Sequence, residues 1–188
     1  LLQNLSQFLI VTPDFVVLHH HSLANWLTST PSAFRVDPVR GHRLLAAAYS
    51  HALADATSPF RTAKSPDDIV LGNSLLRHLD AGQISIDEGS RLLLAVPEQS
   101  RQHLQLKFCV RSKLAFATEL LLRNGWHVDS NGRGLLETAC HEGLVSITRL
   151  LLRAKATTNV DSALRSAAIH RRIDILRMAA AEFKLRLP

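Results

Sequence analysis

Three consecutive histidines, His19, His20 and His21, are the residues that most suggest metal chemistry in this sequence. Imidazole nitrogens are common ligands of zinc and related metals. Side chains of adjacent residues on an extended segment point in alternating directions, so three neighbours rarely bind one ion. The chain has no Cys-x-x-Cys pair, and no His-x-x-x-His partner lies nearby. We therefore expect a packing or exposed role for these histidines, and we predict neither a metal nor another cofactor.

A second candidate for chemistry is the neighbouring pair Cys140 and His141, which suggests a thiol nucleophile with an imidazole base. Neighbours on a helix do not face each other, and the pattern puts Cys140 at a buried position. The sequence also lacks a G-x-x-x-x-G-K-[ST] phosphate loop and a G-x-S-x-G nucleophile elbow. We predict that this chain has no catalytic residues and is not an enzyme.

The composition indicates a helical globular chain. It has 188 residues, of which 46% are hydrophobic, 20% charged and only 5% aromatic, and Leu and Ala are abundant. The two cysteines cannot form a disulfide framework, which favours a reducing, intracellular location. The apolar runs are too short to span a membrane, and no signal peptide is recognisable. The chain begins at Leu1, and we expect it to be part of a longer protein.

Positive charge is concentrated in the C-terminal half of the chain. Residues 1–96 carry 7 basic and 8 acidic groups, net −1, whereas residues 97–188 carry 15 basic and 8 acidic groups, net +7. Such a distribution is typical of proteins that bind an acidic protein, an anionic membrane surface or nucleic acid. A solvated helix face is the alternative interpretation.

An internal repeat organises this basic half. Leu120-Leu121-Leu122-Arg123 recurs thirty residues later as Leu150-Leu151-Leu152-Arg153. This register aligns Cys109-Val110 with Ala139-Cys140, and a third copy, two residues shorter, aligns them with Ala167-Ala168. Each unit reads as a short helix, a tight turn and a second helix that runs back. One unit cannot bury its own apolar face, so the units are expected to stack.

The turn position of the unit is Gly143, which suits a left-handed helix C-cap. Lys113 and Arg171 occupy the same position in the other two copies. Before the turn, Leu136, Ala139 and Cys140 share an apolar helix face, and the small pair lets two helices approach closely. After it, the second helix is predicted to bury Val145, Ile147, Leu150 and Leu151.

The segment NGRGLLETACHEGLVSITRLLLRAKAT, residues 131–157, resembles the ankyrin repeat in its turn, small pair, glycine and Leu-rich second helix. Residues 161–181 form a second copy and residues 101–129 a poorer one. The family's usual Thr-Pro is replaced by Gly134-Leu135 and Ser162-Ala163. HEAT-like hairpins are the alternative, which the thirty-residue spacing and the short helices disfavour. The resemblance implies a mainly α, ankyrin-like solenoid over residues 97–188.

The front of the chain predicts a β-hairpin. Residues 8–11 and 15–18 are β-rich and flank the turn sequence Thr12-Pro13-Asp14. A helical pattern precedes them, and Ser22 is a candidate cap for a helix that follows. Helix, hairpin and helix are typical of the end of a winged-helix unit, which we assign to residues 1–30. Its preceding helix, LLQNLSQFL, has no Lys or Arg, so we predict no nucleic-acid binding.

The junction VVLHHHSLANWLTS and the later segment Gly41-His42-Arg43-Leu44-Leu45-Ala46 resemble STAND-type NTPases with ankyrin repeats, in particular TANC-like scaffolds (tetratricopeptide, ankyrin repeat and coiled-coil proteins). Leu23 stands where that family tends to have Phe. The resemblance implies a cytoplasmic protein associated with cell junctions or synapses. Its nucleotide site would lie upstream of Leu1.

Residues 31–96 are predicted to be a helical linker or degenerate repeats. Residues 51–68 read as a loop, the segment NSLLRHLDAG as a helix with Asn73 as its cap and Gly82 as its stop, and Ser85 or Asp87 as the start of another helix.

These observations lead to a non-enzymatic protein-protein interaction scaffold. The alternative is a regulatory segment that docks on an upstream ATPase and exposes an apolar patch within residues 1–50 when it is alone. Ankyrin-like stacks bind partners through first helices and turn fingers, which predicts a set of exposed partner-binding residues. They are Trp126, His127, Asn131, Arg133, Glu137, His141, Arg165, Ile169 and His170. Trp126 is the strongest candidate because aromatic anchors dominate interfaces, packing on a neighbouring finger being its alternative.

Overall fold

The computed structural model describes residues 9–11, 16–18, 37–55, 68–102, 104–128, 134–154 and 160–183, and it is mainly helical, as the composition predicts. The chain forms two compact units, residues 1–41 and 42–188. The domain boundaries expected at residues 30 and 96 stay a prediction. Among the described residues, none of the helices combines the length and the apolar character needed to cross a bilayer.

A small antiparallel hairpin lies where the sequence predicts one. Strands β1 (Leu9–Val11) and β2 (Val16–Leu18) pair with Leu9 opposite Leu18 and Val11 opposite Val16. The flanking segments 1–8 and 19–36, which include the histidine triplet and Ser22, lie outside the described residues. The winged-helix assignment therefore stays a prediction.

Four helices occupy the middle of the chain: α1 (Pro38–Ala54), α2 (Asp68–Ala81), α3 (Ile86–Ala95) and α4 (Glu98–Arg101). Ser85 caps α3, since its hydroxyl accepts a hydrogen bond from the Glu88 amide at 3.2 Å, as predicted. Gly82 follows the last residue of α2, but the cap predicted at Asn73 is wrong. The helix begins at Asp68 because the extra turn carries Leu71 into the core, where its side chain is buried.

Three helical hairpins follow, and each consists of a first and a second helix. The pairs are α5 (Leu106–Arg111) with α6 (Ala115–Arg123), α7 (Leu135–Glu142) with α8 (Val145–Arg153), and α9 (Val160–Ile169) with α10 (Ile173–Phe183). The first helices pack on each other in the order α5, α7, α9, and the second helices in the order α6, α8, α10. The hairpins therefore stack in two layers around a continuous core.

The hairpin turns share one backbone geometry. Lys113, Gly143 and Arg171, the three positions that the repeat register aligns, all have positive φ, at 61°, 77° and 54°. The next amide in each hairpin donates to a carbonyl five residues earlier: Leu114 to Cys109 at 2.9 Å, Leu144 to Ala139 at 2.9 Å and Arg172 to Ala167 at 2.8 Å. These are the bonds of a helix that ends in a left-handed residue. The register read from the sequence is thus also a structural register.

The middle helices are joined to the first hairpin by specific contacts. The Asp80 carboxylate of α2 accepts the Ala117 amide at 3.1 Å and so satisfies one of the unpaired N–H groups at the start of α6. Gly89 of α3 lies against Leu120, and a Cβ at that position would come within 2.8 Å of a Leu120 methyl carbon. The core formed in this way continues from α1 to α10.

Candidate interaction surface

Six exposed side chains lie on the three stacked first helices, where they occupy two sets of equivalent positions. One set is Lys107, Glu137 and Arg165, and the other is Arg111, His141 and Ile169. We call these six residues the first-helix face. They differ in chemistry although the positions are equivalent, whereas the buried positions of the same helices stay apolar: Cys109, Ala139 and Ala167 are each fully buried.

Four predicted partner-binding residues, Glu137, His141, Arg165 and Ile169, belong to this face, and Ile169 is 69% exposed. His170 is exposed at the following turn, and its ring meets the His141 ring edge-on with centroids 4.1 Å apart. These side chains are thus placed on neighbouring hairpins of one stack.

Trp126 was predicted to be an exposed anchor, but its surroundings are different. Its indole is half-buried against the core, and its Nε1–H donates to the Leu104 carbonyl at 3.0 Å. The indole joins the α6–α7 connection to the segment before α5, which matches the packing alternative. His127 next to it is exposed. Asn131 and Arg133 lie outside the described residues.

A groove of about 650 Å³ lies beside Trp126 and His127. Leu104, Lys107 and Leu135 also line it, so it connects the α6–α7 segment with the start of the first-helix face. Its wall combines apolar side chains with polar and charged ones of both signs, among them Glu98, Arg101 and Lys107.

Lys107 and Arg111 also belong to this face, although neither was predicted to bind a partner. They lie thirty residues before Glu137 and His141, so applying the register to the poorer first copy would have identified them. The basic character of the face follows from them, because Lys107, Arg111 and Arg165 outnumber its one acid, Glu137. Charge of this kind attracts acidic polypeptide.

The turns between neighbouring hairpins are held together by polar contacts. The Arg172 guanidinium crosses Gly143 and donates from Nε to the His141 carbonyl at 2.9 Å. A Cβ on Gly143 would come within 3.2 Å of the Arg172 side chain, so the glycine makes room for this crossing. Lys113 and Glu142 approach to 3.6 Å between the first two hairpins. The edge of the first-helix face is therefore fixed across the stack.

The second helices carry exposed arginines on the outer side of the stack. Arg149 and Arg153 both approach Glu182 of α10, at 3.7 Å and 2.8 Å, and all three arginines, with Arg177, are exposed. These ion pairs are solvated and contribute little stability.

The buried cysteines have the properties of core residues. Burial raises the pKa of the Cys140 thiol to about 11 and raises the pKa of Cys109 as well. A thiol that stays protonated at neutral pH is a poor nucleophile. In the part of the chain that the structure describes, no group of three or more His, Cys, Asp or Glu side chains is arranged to bind a metal ion.

Comparison of the chain with models of protein families, with curated proteins and with solved structures finds no match.

Proposed function

We propose that this chain is a non-enzymatic protein-interaction scaffold, built on ankyrin-like hairpins within a larger intracellular protein, and that its first-helix face binds an acidic protein. The observation that carries the proposal is the contrast within the stack. Equivalent buried positions repeat, while equivalent exposed positions differ and carry three basic residues against one acidic residue. A repeated framework that presents varied side chains is the arrangement by which solenoids bind partners.

Basic charge and an exposed apolar side chain define the partner. Lys107, Arg111 and Arg165 favour carboxylates, and the exposed Ile169 side chain offers an apolar anchor whose removal from water on binding is favourable. An acidic segment with one large apolar residue would satisfy both. Such binding weakens as salt concentration rises, since exposed charges are screened.

The test uses the full chain as bait in a cell lysate, with captured proteins quantified by mass spectrometry. The face variant combines Arg165→Glu with Ile169→Asp. The control combines Arg177→Glu with Leu94→Asp, which makes the same chemical changes at two other exposed positions, on α10 and α3. We expect acidic partners to be lost with the face variant and kept with the control. Equal capture by all three baits would contradict the proposal.

A second candidate function is the regulatory segment of a STAND-type ATPase, and one observation favours it. Leu44 and Leu45 of α1 are 64% and 39% exposed, which supplies an apolar patch within residues 1–50. This function predicts that the same bait captures a nucleotide-hydrolysing protein, that Leu44→Ser with Leu45→Ser abolishes the capture, and that the face variant does not.

A further inference from the structure

Two histidines from different helices face each other in the first part of the helical array. The Nδ1 atoms of His42 on α1 and His78 on α2 lie 2.7 Å apart, and both side chains are half-buried. The Tyr49 ring of α1 stacks on the His78 ring, with centroids 5.5 Å apart and planes 8° from parallel. The His42 and His78 rings are therefore held in place on more than one side.

The distance fixes the protonation state of the pair. At 2.7 Å the two Nδ1 atoms are hydrogen-bonded, so one nitrogen donates its N–H and the other accepts it with a lone pair. An imidazolium has N–H groups at both ring nitrogens and no acceptor. The contact therefore persists with one imidazole neutral, and a proton from solvent on the accepting nitrogen places two N–H groups face to face.

The surrounding charges oppose that second proton. The pKa of His78 lies below its ordinary value of 6.5, first because of burial and then because of His42 and Arg77. Arg43 is also near, with its guanidinium bonded to the Gly82 and Gln83 carbonyls at 3.0 and 2.9 Å. A state in which α1 has moved away takes up the proton more readily. The contact is thus favoured above about pH 6.5 and weakens as the pH falls below it.

Helix α1 is suited to respond because its hydrophobic attachment is small. Its buried apolar side chains are Ala46, Ala52 and Leu53, of which only Leu53 is large. Tyr49 is partly buried against the core, and polar contacts among the described residues add to the attachment: the histidine pair, the Arg43 bonds and a 2.6 Å bond from the Ser50 hydroxyl to the Leu92 carbonyl. Losing one of these is a sizeable fraction of what holds the helix.

We propose that His42 and His78 form an acid-sensitive clasp: a second proton on the pair breaks the contact and loosens α1 from α2. The pair acts as a switch in the mildly acidic range where histidine changes charge.

The clasp is tested by NMR on the full chain with ¹⁵N-labelled histidine and backbone amides, titrated from about pH 7.5 to about pH 5.5. At neutral pH we expect one protonated and one unprotonated Nδ1 in the pair. On acidification both become protonated, and the α1 amides exchange several-fold faster over the same pH range while the α8 amides do not.

The variants separate this pair from general acid effects. His42→Gln and His78→Gln each remove one titrating partner, and we expect α1 to lose its pH response in both. His141→Gln alters the other close histidine pair and should leave the α1 response intact. An α1 that does not respond in the unmodified chain, or that responds equally in the two clasp variants, would overturn the proposal.

Discussion

At the scale of single residues, the side chains that sequence patterns select for binding separate into two groups. Glu137, Arg165 and Ile169 are exposed at aligned positions on stacked helices. Trp126 was selected for its residue type, yet its half-buried indole bonds to the Leu104 carbonyl. Residue type alone could not distinguish these outcomes, because the distinction depends on whether a carbonyl 22 residues away reaches the indole N–H. Substituting Trp126 thus affects folding before it affects any partner.

We predict that Trp126→Phe destabilises the chain by about 1 kcal/mol, the usual contribution of a hydrogen bond, because the buried Leu104 carbonyl loses its donor. The urea unfolding midpoint, followed by circular dichroism, measures the loss. Glu137→Ala, on the exposed first-helix face, is the control and should change the stability by less than about 0.5 kcal/mol. An unchanged midpoint in Trp126→Phe would mean that the indole bond contributes nothing.

At the scale of the element, the repeated turn was predictable and much of the helix packing was not. The register aligned Lys113, Gly143 and Arg171, and all three have positive φ, since the same chain reversal recurs. In α8, Ile147 and Leu151 are buried as predicted, but Thr148 is buried where Leu150 is only half-buried. The buried Thr148 hydroxyl lies beside the weakly bonding Cys140 thiol, and no stronger hydrogen-bond partner occurs for it among the described residues. Residue polarity favours burial of Leu150 over Thr148. The observed burial differs because the packing of α8 against α6 and α10 decides which side of the helix is covered.

Placing glycine at a turn position that now has a side chain should stabilise the chain, whereas placing a side chain at the turn glycine should destabilise it. A non-glycine residue in the left-handed region costs about 1–2 kcal/mol. We therefore expect Arg171→Gly to stabilise the chain by about 0.5–1 kcal/mol, after the entropy that glycine adds to the unfolded state is deducted. Gly143→Ala should destabilise it by about 1–2 kcal/mol or more, since the methyl group also meets Arg172. Thermal unfolding measures both.

Gly125→Ala measures the cost of backbone strain at positive φ without the contact that a methyl group at position 143 makes with Arg172. Gly125 has φ of 90°, but a Cβ built there meets nothing within 4 Å. Its substitution should cost less than Gly143→Ala by the contribution of the Arg172 contact. If the two substitutions have equal effects, the crossing of Gly143 by Arg172 does not contribute to stability.

At the scale of the whole molecule, the hairpins stack only on their neighbours, so the stability of each depends on its position in the stack. Within the described residues, the α9–α10 hairpin packs mainly on the α7–α8 hairpin, whereas the α7–α8 hairpin packs on both the α5–α6 and the α9–α10 hairpins. The two-layer order of α5–α10 could be anticipated from the repeat. The contact of α1 with α2 could not, because His42 and His78 lie 36 residues apart and belong to no repeated pattern. Contacts without periodicity are invisible to self-comparison.

Truncating a fully buried side chain should therefore raise amide exchange in different helices, depending on where that side chain lies in the stack. Ile175→Ala in α10 and Leu120→Ala in α6 each cost about 2–5 kcal/mol. We expect the first to raise amide exchange mainly in α9 and α10, and the second to raise it throughout α2, α3 and α5–α8, as in nearest-neighbour solenoids. Hydrogen exchange with mass spectrometry resolves the segments. Uniform exchange in both variants would indicate a single cooperative unit instead.

The crossing of Gly143 by Arg172 restricts how such an array of hairpins can evolve by duplication, exchange or substitution. The glycine belongs to one hairpin and the arginine to the next, so the two positions form a pair that spans a junction. A hairpin duplicated or exchanged without its neighbour would separate them, and a larger residue at position 143, besides the cost of its positive φ, would also need a smaller one at position 172. Inheritance of the two positions should be coupled, and an engineer who rearranges these hairpins has to move the pair together.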